Sequence, residues 1–138
     1  MKPFAATCLA LAISIPAAAP GADLPALKKG MWEYKRIMFG AGAGGLNAES
    51  TNRKCTDPAA AMKAMSDMLA KKGCKVTPPV VKGNVRTSVT ECTVQGTVVH
   101  SESVMTITSD SAYTVSITTT GGGQKNKETM SAMRVGDC

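Results

Sequence analysis

The second half of the chain alternates stretches of β-branched residues with short turns. The turns are Lys82-Gly83-Asn84, Gln95-Gly96, Ser109-Asp110-Ser111 and Gly121-Gly122-Gly123. β-Branched residues favour strands, and short turns rich in Gly and Asn join neighbouring strands in antiparallel pairs. The pattern therefore predicts an antiparallel meander of five strands, at about residues 74–81, 85–94, 97–108, 112–120 and 125–135. Pro78-Pro79 indicates that the first of these strands is an edge strand or carries a bulge.

The third of these turns predicts a specific register. Antiparallel pairing about it places Ile107 opposite Tyr113 and Met105 opposite Val115, on one face of the sheet. Threonine and serine side chains occupy the other face along residues 114–120. One face is therefore expected to be apolar and the other to be rich in hydroxyl groups.

Two elements are predicted before this meander. Residues 31–39 alternate as a first strand, with Trp32 as the principal core anchor. Asp57 and Pro58 are typical N-cap and first-turn residues, and the stretch rich in Ala, Met, Lys and Leu that ends at Lys72 predicts a helix. The predicted fold class is α+β, mainly β: an antiparallel meander of about five to six strands with one helix inserted after the first strand, held by two disulfides.

The first 22 residues have the organisation of a secretion signal. Lys2 supplies a positive charge, an apolar run follows, and small residues precede a cleavage site expected at Ala22, to within a few residues. Pro16 and Pro20 interrupt the run well short of the roughly 20 apolar residues that a membrane span needs. We therefore expect a periplasmic protein in which residues 23–138 form a single disulfide-linked domain without a transmembrane segment.

Four cysteines stay in the chain when Cys8 leaves with this signal. An oxidising compartment favours their oxidation to disulfides. Cys74 and Cys92 lie at mirror positions about the first turn, and directly opposed antiparallel residues are close enough for a disulfide. By elimination Cys55 would bridge to Cys138, although four cysteines allow three connectivities and the sequence leaves the other two open.

Charge and composition limit the classes of function. The chain carries a formal net charge of +6 and only one Trp, two Tyr and two Phe. Nucleic-acid binding typically combines a basic stripe with exposed aromatic side chains, so no nucleic-acid partner is expected. The one histidine, His100, lies in a strand pattern, and no nucleophile–base pair accompanies it. We therefore expect neither a catalytic site nor a cofactor.

Other patterns indicate alternative functions. Met62, Met65 and Met68 recur every three residues on the predicted helix, and thioethers are soft ligands suited to Cu(I). Packing of the same side chains on a sheet is the competing interpretation. The sheet could instead offer its hydroxyl-rich face to a partner, or enclose an apolar ligand. We expect a non-enzymatic binding or structural domain, with a Cu(I)-binding module and a carrier of an apolar ligand as alternatives. Its partner would be a second copy of the chain or another periplasmic protein.

Several short motifs together resemble a known family. They are Gly30-Met31-Trp32-Glu33, Cys55-Thr56-Asp57-Pro58, Cys74-Lys75-Val76, Lys82-Gly83-Asn84, Thr90-Glu91-Cys92 and Arg134-Val135-Gly136-Asp137-Cys138. The combination resembles small exported bacterial proteins of the family domain of unknown function 3617. The resemblance covers essentially the whole chain after the signal, and it implies export to the periplasm and the four-cysteine plan. It brings no catalytic residue to carry over.

Overall fold

Antiparallel strands and one helix make up residues 26–40 and 47–138, the part of the chain that the structure, a computed structural model, describes. The elements are, in chain order, β1 (Gly30–Phe39), β2 (Ala48–Thr56), α1 (Pro58–Lys71), β3 (Lys75–Val76), β4 (Val80–Lys82), β5 (Val85–Val94), β6 (Thr97–Ser109), β7 (Ala112–Gly121) and β8 (Gln124–Gly136). The expected secretion signal, residues 1–22, lies outside the described residues.

The strands form one eight-stranded sheet in the order β2-β1-β8-β7-β6-β5-β3, with β4 also paired to β5. Strands β5 to β8 follow one another as the predicted meander, and β1 pairs with β8, so the first strand lies beside the last. The expected fold class is confirmed, with more strands than the five to six expected. One additional strand is β2, at one edge of the sheet. The other arises because Pro78-Pro79 divide the strand expected at about residues 74–81 into β3 and β4, at the opposite edge.

The predicted registers are present in the sheet. Ile107 pairs with Tyr113 and Met105 with Val115, as expected from the turn between β6 and β7. The edge formed by β3 and β4 shows the predicted effect of the prolines. Val76 pairs with Thr90, whereas Val80 pairs with Thr87, so one extra residue lies on the proline side. This edge of the sheet is therefore short, irregular and shifted in register by one residue.

The hydrophobic core lies on one face of β1, β6, β7 and β8. Trp32 is fully buried, as its predicted role as core anchor requires, and its ring centroid lies 5.5 Å from that of Tyr113. Its indole Nε1 donates a hydrogen bond of 2.9 Å to the carbonyl oxygen of Lys28. Burial raises the pKa of Tyr113, because the phenolate would lose its hydration, and the neighbouring Tyr34 adds to the shift. The other buried apolar residues of this core are Met105, Ile107 and Ala132.

Helix α1 covers part of this core. Asp57 is its N-cap, and the carboxylate accepts a hydrogen bond of 3.2 Å from the backbone N–H of Ala60. Pro58 is buried, and Met62 packs against the core cluster. Because side chains alternate between the two faces of a strand, the opposite face of the sheet carries the residues that lie between the core positions.

The segment before β1 is attached to the turn between β6 and β7. The backbone N–H of Lys28 donates to the carbonyl oxygen of Asp110 at 2.8 Å, and the Lys28 Nζ lies 2.7 Å from the Asp110 carboxylate. The hydroxyl of Ser111 donates to the same carboxylate at 2.7 Å. These two side-chain hydrogen bonds, that of Lys28 first, hold the pKa of Asp110 below its usual value.

This lowered pKa predicts a specific acid dependence of stability. The ionised carboxylate stabilises the fold above the ordinary Asp pKa of 3.8, and this contribution is lost as the pH falls through the lower folded value. We therefore expect Asp110→Asn to flatten the loss of stability between about pH 4 and pH 2, measured as the urea midpoint at each pH. Lys28→Met should flatten it in part, because Ser111 still donates to the carboxylate. Curves of both variants that parallel that of the unmodified protein would contradict this prediction.

Candidate functional site

A groove of about 430 Å³ lies on the face of the sheet that is turned away from the core. We call it the open-face groove. It is lined by Lys35, Ile37, Glu49, Val104, Thr106, Thr114, Val115, Ser116, Thr129, Met130 and Ser131. Five of these residues carry hydroxyl groups, and two of the five, Thr114 and Ser116, belong to the hydroxyl-rich strand face predicted from the sequence.

Sheet register brings these side chains together from distant parts of the sequence. Across β1, β8, β7 and β6, Ile37 pairs with Thr129, Thr129 with Ser116, and Ser116 with Val104. Directly opposed side chains on one face lie about 5 Å apart, so these four form a continuous row. Serine and threonine are small, which leaves the surface recessed between the aliphatic side chains at the two ends of the row.

The neighbouring row of the groove is polar throughout. Ser131 pairs with Lys35 on one side and with Thr114 on the other, and Thr114 pairs with Thr106. Each hydroxyl can both donate and accept a hydrogen bond. Glu49 on β2 lies opposite Ile37, so one end of the groove offers an ammonium and a carboxylate side by side. The groove is thus suited to recognition by hydrogen bonds and aliphatic contacts.

A second groove, of about 640 Å³, lies where the C-terminal residues meet the segment before β1. We call it the terminal groove. Arg134 donates from Nε to the carbonyl oxygen of Lys29 at 2.9 Å and from its terminal nitrogen to the carboxylate of Asp137. Gly30 has a φ of 155°, and a Cβ at this position would lie 2.5 Å from the Arg134 Nε. Glycine therefore permits the close approach of β1 to this guanidinium.

Both disulfides join the pairs of cysteines expected from the sequence. Cys55 is bonded to Cys138, 83 residues apart, and Cys74 is bonded to Cys92, 18 residues apart. The surroundings of the two bridges differ. Cys55 and Cys138 are exposed and line the terminal groove, whereas Cys74 and Cys92 are half-buried.

This difference predicts the order of reduction. A thiolate reductant should attack Cys55–Cys138 first, since this bridge is exposed. Partial reduction with a limiting dithiol, followed by alkylation and peptide mass mapping, should label Cys55 and Cys138 several-fold more than Cys74. Equal labelling of the two pairs, or preferential labelling of the other one, would contradict the prediction.

The three helix methionines do not share one environment. Met62 packs against the core, whereas Met65 and Met68 are 54% and 41% exposed. Each step of three residues turns a side chain about 60° around an α-helix, so the series passes from the covered side of the helix to its exposed side. Met65 and Met68 are therefore exposed on the helix surface, whereas Met62 lies on the side of the helix that covers the core. Copper binding by these residues stays a hypothesis.

His100 lies on β6, half-buried, with its Nδ1 3.6 Å from a carboxylate oxygen of Glu91 on the neighbouring strand. The pair lies outside both grooves. Within residues 26–40 and 47–138, no three His, Cys, Asp or Glu side chains cluster as metal ligands. None of the helices in this described part has both the length and the hydropathy of a membrane span.

Most of the open-face groove was missed by reasoning from the sequence. The hydroxyls of β7 were predicted, but the contributions of β1, β2 and β8 were not, namely Lys35, Ile37, Glu49, Thr129, Met130 and Ser131. Alternation along residues 31–39 was a usable signal for Ile37, since it lies on the face opposite Trp32. The pairing of β1 with β8 joins residues about 100 positions apart, and no local pattern indicates it.

Comparison with known proteins identifies the family of the chain. No curated protein and no solved structure matches it significantly. The model of the family described as Protein of unknown function (DUF3617) matches residues 27–138. This match spans the helix, both disulfides and every strand that the structure describes. The chain therefore belongs to the DUF3617 family.

Proposed function

We propose that this protein is a non-catalytic binding domain, exported to the periplasm by a signal in residues 1–22, that recognises a partner protein through the open-face groove. The single observation that carries the proposal is the composition of that groove, with five hydroxyl residues beside Ile37 and Val104. The compartment is supported by the disulfides, which include all four cysteines of the described residues. Disulfides persist in oxidising surroundings.

The character of the groove favours a protein over a small molecule. Small-molecule sites enclose most of the ligand and present a few buried polar groups that fix its orientation. Here Thr114 is exposed, and none of the residues that line the groove is buried. Non-obligate protein interfaces, taken as a whole, are open surfaces of similarly mixed polar and apolar character.

The chemistry of the groove also defines its occupant. The Thr and Ser hydroxyls would hydrogen-bond to backbone or amide groups, while Ile37 and Val104 would contact short aliphatic side chains. Lys35 and Glu49 at one end would pair with an acidic and a basic group. The expected occupant is therefore an uncharged protein segment flanked at one end by an acidic and a basic residue.

A blocking substitution in the centre of the groove tests the proposal. Ser116→Trp places a large ring between the two aliphatic residues of the row, and Thr93→Trp makes a similar change on the same sheet face, outside the groove. The protein is isolated from its own compartment under mild conditions and measured by native mass spectrometry. We expect a non-covalent adduct of protein size on the unmodified chain and on Thr93→Trp, and none on Ser116→Trp.

The adduct is then identified, produced separately and titrated against the three forms, since co-purification alone does not establish the site. Binding should weaken at least about tenfold with Ser116→Trp and stay within about threefold with Thr93→Trp. An adduct of small-molecule size would instead favour the carrier of an apolar ligand. A partner that binds Ser116→Trp as tightly as the unmodified chain would reject the groove as the site.

A further inference from the structure

The two edges of the sheet differ in how they present their backbone. The edge formed by β3 and β4 consists of strands of two and three residues, separated by Pro78-Pro79 and shifted in register. Strand β2 has nine residues, contains neither Pro nor Gly, and pairs with β1 from Thr56 to Ala48 without a bulge. A long, regular edge strand offers unpaired N–H and C=O groups to another strand, and prolines and bulges are the usual means of preventing this.

Strand β2 is also accessible along its length. Residues 48–55 are all exposed, and within residues 26–40 and 47–138 the strand has β1 as its only neighbour in the sheet. Helix α1 begins immediately after β2 and lies against the core face and β3. The outer backbone of β2 is therefore open in the part of the chain that the structure describes.

The side chains of β2 are self-complementary about Thr51. If two copies of β2 pair antiparallel with Thr51 opposite itself, Glu49 of each copy lies directly opposite Arg53 of the other. Both residues share the face that carries the open-face groove, because side chains alternate along a strand. The same register places Ser50 opposite Asn52, and Ala48 opposite Lys54. Two symmetric ion pairs form in this register, and no like charges oppose each other.

Arg53 is already oriented for such a pair. Its Nε donates to the Glu33 carboxylate at 2.8 Å, while the side chain stays 66% exposed. A guanidinium carries five N–H donors, so the carboxylate of Glu49 from a second copy can bind without displacing Glu33. Opposed charges across neighbouring strands stabilise their pairing, and like charges destabilise it.

From these observations we propose that two copies of the chain associate through antiparallel pairing of their β2 strands, centred on Thr51. The result is an isologous dimer in which one sheet continues across both copies. The β2 strand of the second copy thus occupies the free edge of β2 in the first. The proposal does not rest on the open-face groove, although the two surfaces share Glu49.

Charge exchange tests the register. Glu49→Arg alone and Arg53→Glu alone each place like charges opposite each other twice in the dimer, whereas the double variant restores both pairs. By sedimentation equilibrium of the oxidised protein at moderate salt, each single change should weaken the dimer at least about tenfold, and the double variant should return to within about threefold. Lys125→Glu, an exposed site on β8, is the matched control for the charge change and should leave the dimer unchanged.

A covalent test uses the position on the two-fold axis. Directly opposed residues have Cα atoms about 4.5 to 5.5 Å apart, which suits a disulfide, so oxidised Thr51→Cys should form a covalent dimer. Thr93→Cys, exposed on β5, should not. A protein that is monomeric up to about 100 μM overturns the proposal. So does a dimer that resists both single charge changes and does not cross-link at position 51, since it would use another surface. Circular dichroism of each variant shows whether it is folded.

Discussion

Replacing Trp32 with alanine should lower the free energy of unfolding by about 3 to 5 kcal/mol, because it removes the largest side chain of a small core. The indole is fully buried, lies against the Tyr113 ring and donates to the Lys28 carbonyl oxygen. Among the residues that the structure describes, four others complete the buried apolar cluster, and the side chains around them are only partly buried, so the core is small. Urea denaturation followed by far-UV circular dichroism measures the change.

Two further variants separate packing from other effects. Trp32→Phe keeps an aromatic ring but loses the hydrogen bond to Lys28, and should cost less than half as much as Trp32→Ala. Val98→Ala, at a position that is 60% exposed, should change stability by less than about 0.5 kcal/mol. A loss below about 1 kcal/mol for Trp32→Ala would contradict the role of Trp32 as the anchor of the core.

Removing the Cys55–Cys138 disulfide should have an effect of similar size. In the chain-entropy description, a bridge that closes a longer loop restricts the unfolded chain more. For a sequence separation of 83 the expected contribution is about 4 to 5 kcal/mol, against about 3 kcal/mol for the separation of 18 closed by Cys74–Cys92. Thermal melting of Cys55→Ser/Cys138→Ser and of Cys74→Ser/Cys92→Ser, compared with the oxidised parent, should rank the first variant as the less stable.

Two other results of the melting experiment would contradict this ranking or its reason. Unchanged melting of either double variant would show that its bridge does not stabilise the fold. A larger loss for Cys74→Ser/Cys92→Ser would show that the edge formed by β3 and β4 depends on its disulfide more than loop length implies. Only five residues of β3 and β4 pair with β5. Such a result would therefore show that the disulfide, more than strand pairing, holds this edge in place.

The meander could be predicted from the sequence because its determinants are local. Short turns separate stretches that alternate between apolar and polar residues, and reflection about Asp110 gives the observed pairs of β6 and β7, such as Ile107 with Tyr113. Strand β2 could not be predicted in this way. All but one of its residues are exposed, so neither face selects apolar residues and the strand has no hydrophobic period.

The candidate site was less accessible to sequence reasoning than the fold. More than half of the open-face groove comes from β1, β2 and β8, and β1 and β2 join the meander only because β1 pairs with β8. The helix methionines show a different limit. A spacing of three residues falls about 60° short of a full helical turn, so a series with this spacing moves around the helix. Met62 therefore lies on the core while Met65 and Met68 are exposed.

Pro78-Pro79 set a limit on how far strand addition can proceed. Neither proline has a backbone N–H to offer an approaching chain, and the kink between Val76 and Val80 prevents a straight ladder from continuing outward. With one margin of the sheet blocked, copies joined along the other margin cannot recruit a third. The proposed dimer would therefore be a closed pair that does not grow into fibrils by further strand addition.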